Sequence, residues 1–141
     1  MNEGAATHPS PVWNDRADFL VYVDLTPSGI EGGLEELPGR FISNTSMEVC
    51  CIPYFANGIS LGDVVEFDPD TGRVVGVPTR AGHRTLRVCL NIPVEDRQAN
   101  RDEHIRLHAW AASTSLLHEF HGDGWCSTCR RTKTRSSCCS T

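Results

Sequence analysis

The chain has 141 residues, a hydrophobic content of 39% and a formal charge of −5 at pH 7, a composition typical of one soluble domain that is large enough to bury a core. No segment approaches the roughly 20 apolar residues of a membrane span, and Met1–Pro11 lacks the apolar stretch of a signal peptide, so we expect a cytoplasmic protein. The acidic body argues against nonspecific nucleic-acid binding, which needs clustered cations.

The charge is distributed unevenly along the chain. The last 16 residues, Cys126–Thr141, contain four cations and no carboxylate, aliphatic or aromatic side chain, whereas the first 125 residues hold nine Arg and 18 acids, a formal charge of −9. A segment without apolar side chains adds nothing to a hydrophobic core. We therefore divide the chain into a flexible lead-in (1–16), one globular domain (17–125) and a basic tail rich in Cys, Ser and Thr (126–141).

Short segments rich in β-branched and aromatic residues dominate the first two thirds of the chain and predict strands. The predicted strands are Phe19–Leu25, Gly39–Ser43, Met47–Ile52, Asp63–Asp68, Arg73–Val77 and Arg84–Ile92. The fourth and fifth flank Pro69–Gly72, where Pro and Gly stand at positions that tight turns favour, and this predicts a β-hairpin. Cys50, Cys51 and Cys89 lie in apolar runs and are expected to be small buried side chains.

The last third predicts one helix, roughly Glu95–Ser113, followed by a strand over Leu116–Phe120. Gly122–Gly124 has the composition of a hairpin turn, but the polar residues after Trp125 do not predict the returning strand. The helical stripe consists of Ile105, Ala109, Ala112 and Leu116, with Trp110 beside it. The fold class is therefore α+β: a mostly antiparallel, barrel-like β-meander, then a β-α-β unit and a non-core tail.

One cluster of residues predicts a ligand site. Asp63 and His83 would form an acid–base pair if they were within hydrogen-bond reach. Arg84 and Arg87 follow Gly82 closely enough to form an anion pocket with backbone N–H groups. The alternatives are that Asp63 caps a turn, that His83 bonds to backbone and that both arginines belong to a solvated face.

From about residue 20 to residue 90 the chain resembles an uncharacterised bacterial family, domain-of-unknown-function family 4265. The resemblance is carried by Ile52–Ala56, Ile59–Val65 and Gly82–Val88, with Ala81 where the family often has Ser. It implies a small, standalone, cytoplasmic bacterial protein, and an ending with a strand, a Pro and a last helix. The sequence after Trp125 departs from that ending.

The tail has several interpretations. The preference for Arg over Lys, twelve to one, indicates G+C-rich codons. If such codons are read from the final base of the Trp125 codon, the tail encodes a short strand, a Pro and a Leu-containing helix, so the tail is then out of frame. Alternatively, His118, His121, Cys126 and Cys129 supply the four N and S ligands that zinc prefers.

A further interpretation is a modified peptide, because dense Ser, Thr and Cys residues are the substrates for dehydration and thiolate attack. The last interpretation is that the tail is a disordered segment without a role. We expect a non-enzymatic binding or accessory module that recognises a protein or a small ligand. The alternatives are a modified-peptide precursor and a zinc-binding protein. A domain without its last strand would also self-associate through an unpaired sheet edge.

Overall fold

The computed structural model describes residues 5–89, 95–114, 116–121 and 124–130. Within these ranges the chain forms eight strands and one α-helix. The first five strands are β1 (Phe19–Asp24), β2 (Leu34–Ser43), β3 (Ser46–Val49), β4 (Val64–Phe67) and β5 (Val74–Thr79). They are followed by β6 (His83–Cys89), α1 (Arg97–Thr114), β7 (Leu117–His121) and β8 (Gly124–Arg130).

The first five strands form an antiparallel meander in the order β1-β2-β3-β4-β5, and β4 and β5 are the predicted hairpin. Its two edge strands meet at a single parallel bridge between Tyr22 and Arg73. The sheet is therefore curled but not closed along its length. Its main core cluster consists of Val21, Leu25, Leu37, Met47, Val49, Cys51, Ala56, Ile59, Val65 and Phe67.

Strand β2 is longer than the sequence predicts. It begins at Leu34 because that half of the strand pairs with β1, while the half from Gly39 onward pairs with β3. The first half contains Glu35 and Pro38, and charged residues and Pro are depleted in strands. The sequence therefore does not predict a strand there. Both residues are nevertheless buried.

The second sheet has the order β6-β8-β7, and β8 is antiparallel to both neighbours. Strands β6 and β7 are therefore parallel to each other, and α1 lies in the connection between them. The architecture is α+β, as the sequence predicts.

The expectation that no strand returns after Gly124 is wrong. Residues 124–130 pair with β6 on one side and with β7 on the other, so the beginning of the polar segment is the central strand of the second sheet. Backbone hydrogen bonds, unlike a hydrophobic core, do not require apolar side chains, and Trp125 and Thr128 have high strand propensity. The tail beyond Arg130 lies outside the described residues.

The apolar stripe predicted on the helix does not mark its buried face. Ile105 is 60% exposed and Trp110 is 42% exposed, whereas Ala111 is fully buried. Alanines occur on both faces of α1, so the sequence pattern discriminates weakly between them. In the part of the chain that the structure describes, no helix has the length and apolar character needed to cross a membrane.

The lead-in also differs from the prediction, because residues 5–16, the N-terminal segment, pack against the first sheet. Ala6 forms a parallel bridge with Glu35, and the Trp13 N–H donates to the Cys50 carbonyl over 3.0 Å. Ala6, Val12 and Trp13 cover a second core cluster of Ile52, Tyr54 and Leu61. Isolated apolar residues between polar ones gave no periodic pattern that would have predicted this packing.

Candidate functional site

A cavity of about 200 Å³, the β6 cavity, lies between the start of β6 and the loop that precedes β4. Its walls are Gly58, Ile59, Ser60, Asp63, Arg80, Gly82, His83, Arg84, Thr85 and Arg87. All five residues that the sequence proposes as ligand contacts are among them. Sequence reasoning missed the other five because loop residues and a single Thr carry no pattern that predicts where they meet.

Asp63 fixes the shape of one wall. Its side chain is buried, with Oδ1 accepting the Ala81 N–H over 2.8 Å and Oδ2 accepting the Ser60 N–H over 2.9 Å. The Arg80 Nη1 atom lies 3.9 Å from Oδ2. Asp63 therefore ties the loop before β4 to the loop before β6, which is the turn-capping role considered from the sequence.

His83 is the first residue of β6 and is half-buried. Its Nδ1 atom is buried and has no hydrogen-bond partner among the described residues. The Trp13 ring stands edge-on to it, with ring centroids 6.0 Å apart. No hydrogen bond joins Asp63 to His83 in the described structure, so the two side chains share the cavity without forming the acid–base pair considered from the sequence.

Gly62 lies close to Ala81 and to the His83 ring. Its φ of +84° is a left-handed conformation that favours glycine. A Cβ atom added there would lie 3.0 Å from the Ala81 Cβ and 3.4 Å from the His83 Nδ1. Glycine at this position therefore suits both the left-handed backbone and the close approach of Ala81, and His83 lies at ordinary contact distance beside it.

Arg87 braces the opposite wall. Its Nη2 donates to the Ala56 carbonyl over 2.7 Å, Nε to the Pro53 carbonyl over 3.3 Å and Nη1 to the Asn57 Oδ1 over 3.4 Å. All three acceptors are uncharged, and none of the ion pairs formed by the described residues includes Arg87. Its positive charge is thus held at the cavity without a described counter-charge.

Two hydroxyl groups complete the interior. Thr85 is 3% exposed, and its Oγ1 lies 3.5 Å from the Ser60 Oγ, at the long limit of a hydrogen bond. Arg80 is anchored at the rim, where its Nη1 donates to the Gly58 carbonyl over 2.6 Å. The cavity therefore combines cations and hydroxyls with the apolar side chain of Ile59.

A second polar cluster, the Glu35–His8–Glu119 cluster, lies in the interior and was missed by sequence reasoning. His8 Nε2 is 2.7 Å from the Glu35 Oε2, and Nδ1 is 2.7 Å from the Glu119 Oε1. The His8 ring stacks on Tyr54 with centroids 4.0 Å apart. Since both ring nitrogens face carboxylates, both are donors and the imidazole is protonated.

Backbone amides support both carboxylates of this cluster. Glu35 accepts the N–H groups of Tyr54, Phe55 and Ala56, while Glu119 accepts those of Val12 and Ile52. Charge-assisted bonds of this kind are the strong ones in proteins. The cluster thus joins the N-terminal segment, the first sheet and the second sheet.

The cluster shifts the pKa of two of its members in opposite directions. Burial alone would lower the pKa of His8, but the hydrogen bonds and charges of Glu119 and Glu35 outweigh it and raise that pKa. Burial alone would raise the pKa of Glu35, but the His8 hydrogen bond and charge and the loop amides lower it. Nearby Cys51 is fully buried, and burial raises the pKa of its thiol well above the usual value.

The candidate zinc residues lie in the second sheet. His118 is paired with Ser127, and Glu119 with Cys126. Because successive strand positions belong to opposite faces, positions 118 and 126 belong to opposite faces of the sheet. The side chains of His121, Cys126 and Cys129 lie outside the described structure, so the zinc site stays a prediction. Among the described side chains, no three His, Cys, Asp or Glu residues form a group that could hold a metal ion.

Comparison with known proteins assigns the chain to a family. The fold defines a small α+β domain with a curled five-stranded sheet and an antiparallel three-stranded sheet. The model of the family described as "Domain of unknown function (DUF4265)" matches residues 35–117, more than half of the chain, and the protein belongs to this family. The match contains the whole lining of the β6 cavity, whereas His8 and Glu119 lie outside it.

One solved structure resembles the fold, a crystal structure of a hypothetical protein from Neisseria gonorrhoeae. It has a TM-score of 0.50 and 20% sequence identity, over 82% of this chain and 78% of that chain. At this identity the similarity concerns the fold alone. No curated protein matches the chain.

Proposed function

We propose that this protein is a non-enzymatic binding module whose ligand occupies the β6 cavity. The observation that supports the proposal is the convergence of Asp63, Gly82, His83, Arg84 and Arg87 on one cavity, although they are spread over 25 positions. A concave site with a few polar groups is the usual form of a small-molecule site. The volume of about 200 Å³ lies below the roughly 300–1,000 Å³ of drug-sized sites, so the ligand is small.

The hydrogen bonds of the cavity favour binding over catalysis. Asp63 uses both carboxylate oxygens to hold backbone amides, and Arg87 uses its guanidinium to hold loop carbonyls. These groups shape the cavity, and no described base contacts a nucleophile in it. A preformed cavity with its polar groups already anchored loses little side-chain entropy when it binds.

The test is to fill the cavity. Ser60→Leu adds apolar volume to its wall, and Ser113→Leu adds the same group to the exposed surface of α1. A small-fragment library is screened against the unmodified protein by saturation-transfer NMR, and the hits are then measured with both variants. We expect the hits to weaken at least about tenfold with Ser60→Leu and to be unchanged with Ser113→Leu.

A circular dichroism melt of both variants verifies that they are folded. The absence of any fragment hit, or hits that are indifferent to Ser60→Leu, would overturn the proposed function.

A further inference from the structure

We propose that the ligand of the β6 cavity is a small organic monocarboxylate, an inference that rests on the proposed function. Its carboxylate would lie against the arginine-lined wall and its short apolar part against Ile59.

The charge of the cavity favours an anion. Three arginines line it against one carboxylate, so these four side chains together have a formal charge of +2. Asp63 lies close to Arg80, 3.9 Å away, and offsets mainly that cation. The Arg87 charge meets only uncharged oxygens among the described residues. A partly buried charge without a counter-charge is costly, and an anionic ligand would remove that cost.

Donors outnumber acceptors where the ligand would lie. Asp63 already accepts two backbone N–H groups and is therefore poorly placed to accept from a cationic ligand. A guanidinium has five N–H donors, and the three hydrogen bonds that Arg87 makes to the loop leave two of them for a ligand. The hydroxyls of Thr85 and Ser60 are so weakly bonded to each other that either can turn to a ligand oxygen.

The orientation of His83 agrees with this preference. Its Nδ1 has no partner, and a bare acceptor costs less there than an N–H directed at the apolar edge of Trp13 and at Gly62. With Nδ1 as the bare acceptor, the ring N–H is on Nε2 and adds one more donor.

The apolar part of the cavity favours an organic acid over an inorganic anion as the ligand. Ile59, Gly58 and Gly82 form part of the lining, and none of the three has a polar side chain. Inorganic phosphate has no apolar surface to place there and, as a mixture of mono- and dianion at neutral pH, would bring more negative charge beside Asp63 than a monocarboxylate does. A short aliphatic carboxylate satisfies the guanidinium fork and the apolar wall together.

The experiment compares four probes by NMR titration of ¹⁵N-labelled protein. Butyrate, butyramide and butylammonium have nearly the same size and differ in charge, and inorganic phosphate tests an anion without an apolar part. We expect butyrate to shift the amides of His83–Thr85 with the highest affinity. Arg84→Gln should weaken butyrate at least about tenfold, whereas Arg101→Gln, which removes the same charge from the exposed face of α1, should leave it unchanged.

The outcomes separate this inference from the proposed function. Butyramide or butylammonium binding as tightly as butyrate would overturn the carboxylate inference and leave the cavity as the binding site. Stronger binding of phosphate than of butyrate would overturn the apolar requirement and with it the proposed class. If no probe binds while fragments still bind in the cavity, the class is wrong and the proposed function stands. Arg87→Lys is the second variant, because it keeps the positive charge and loses the paired N–H donors of the guanidinium. We expect it to lower the affinity for butyrate as well.

Discussion

Glu35 is a fully buried carboxylate within a strand, and its surroundings explain why the protein tolerates it. Three consecutive loop amides and one imidazolium satisfy its two oxygens. Removing one partner from such a group leaves the others unsatisfied, which costs more than the pair itself contributes. The residue therefore specifies the path of the loop at Tyr54–Ala56.

We predict that Glu35→Gln lowers the free energy of unfolding by about 3 kcal/mol or more. The amide has one accepting oxygen for four donors, and its NH₂ group would face further donors. Urea denaturation measures the change. Glu36→Gln is the matched control, because the neighbouring side chain is half-buried and takes part in none of the ion pairs of the described residues. An equal loss for both variants would show that the cluster is not the cause.

The cluster also makes stability depend on pH. His8 has a raised pKa in the folded protein, so its contribution is complete below the unfolded value, about 6.5, and is lost as the pH rises through the folded value. Glu35 has a lowered pKa, so its contribution is complete above about 4.5 and is lost as the pH falls through the folded value. The window of full stabilisation thus lies between those two unfolded values.

We predict that the unfolding free energy of the unmodified protein exceeds that of His8→Gln most near pH 5.5 and that the difference shrinks toward pH 9. The variant lacks the imidazole, so the comparison isolates its titration. Urea denaturation of both proteins across this range provides the values. A difference that stays constant with pH would show that folding does not shift the pKa of His8, and a difference that grows toward pH 9 would show that the folded protein favours the neutral ring.

At the scale of elements, the sequence predicts those segments whose local pattern agrees with the fold. The β4–β5 hairpin, β1 and α1 were found within a few residues of their bounds because strand alternation, turn residues and helix propensity coincide there. Strand β8 was missed because two neighbours supply its hydrogen bonds, a tertiary effect that leaves no local signal.

The candidate site, like the strands, could be predicted from the sequence only in part. Asp63, Gly82, His83, Arg84 and Arg87 stand out as polar residues between apolar runs, and the structure brings them to one cavity. Ser60, Thr85 and Arg80 join them only because the Asp63 carboxylate holds the two loops together. The Glu35–His8–Glu119 cluster combines residues 111 positions apart, which single-sequence patterns do not reveal.

In the whole molecule, two side chains of the second sheet, one anionic and one cationic, join it to the rest of the protein. Glu119 of β7 bonds to the N-terminal segment and to the Ile52 amide, and Arg87 of β6 bonds to the carbonyls of the loop over 53–57. The first connection is made by a buried carboxylate and the second by a guanidinium. The loop between β3 and β4 is therefore held from both sides by the second sheet.

We predict that the backbone amides of β8 are protected from hydrogen exchange as strongly as those of β6 and β7. The strand has neighbours on both edges, and amides in a central strand exchange only when the sheet opens. Hydrogen–deuterium exchange followed by mass spectrometry measures this. Complete exchange of residues 124–130 within the time that exposed loops require would contradict the sheet order and would favour the frame-change interpretation of the tail.

The position of β8 between β6 and β7 has a consequence for synthesis on the ribosome. The five-stranded meander pairs neighbours in sequence, so it can form as soon as Thr79 has emerged, while β6 must wait for a partner about 40 residues later. Until then β6, α1 and β7 have no sheet to join. In the order of synthesis, all strands of the first sheet are therefore present before the wall of the cavity that β6 supplies can be assembled.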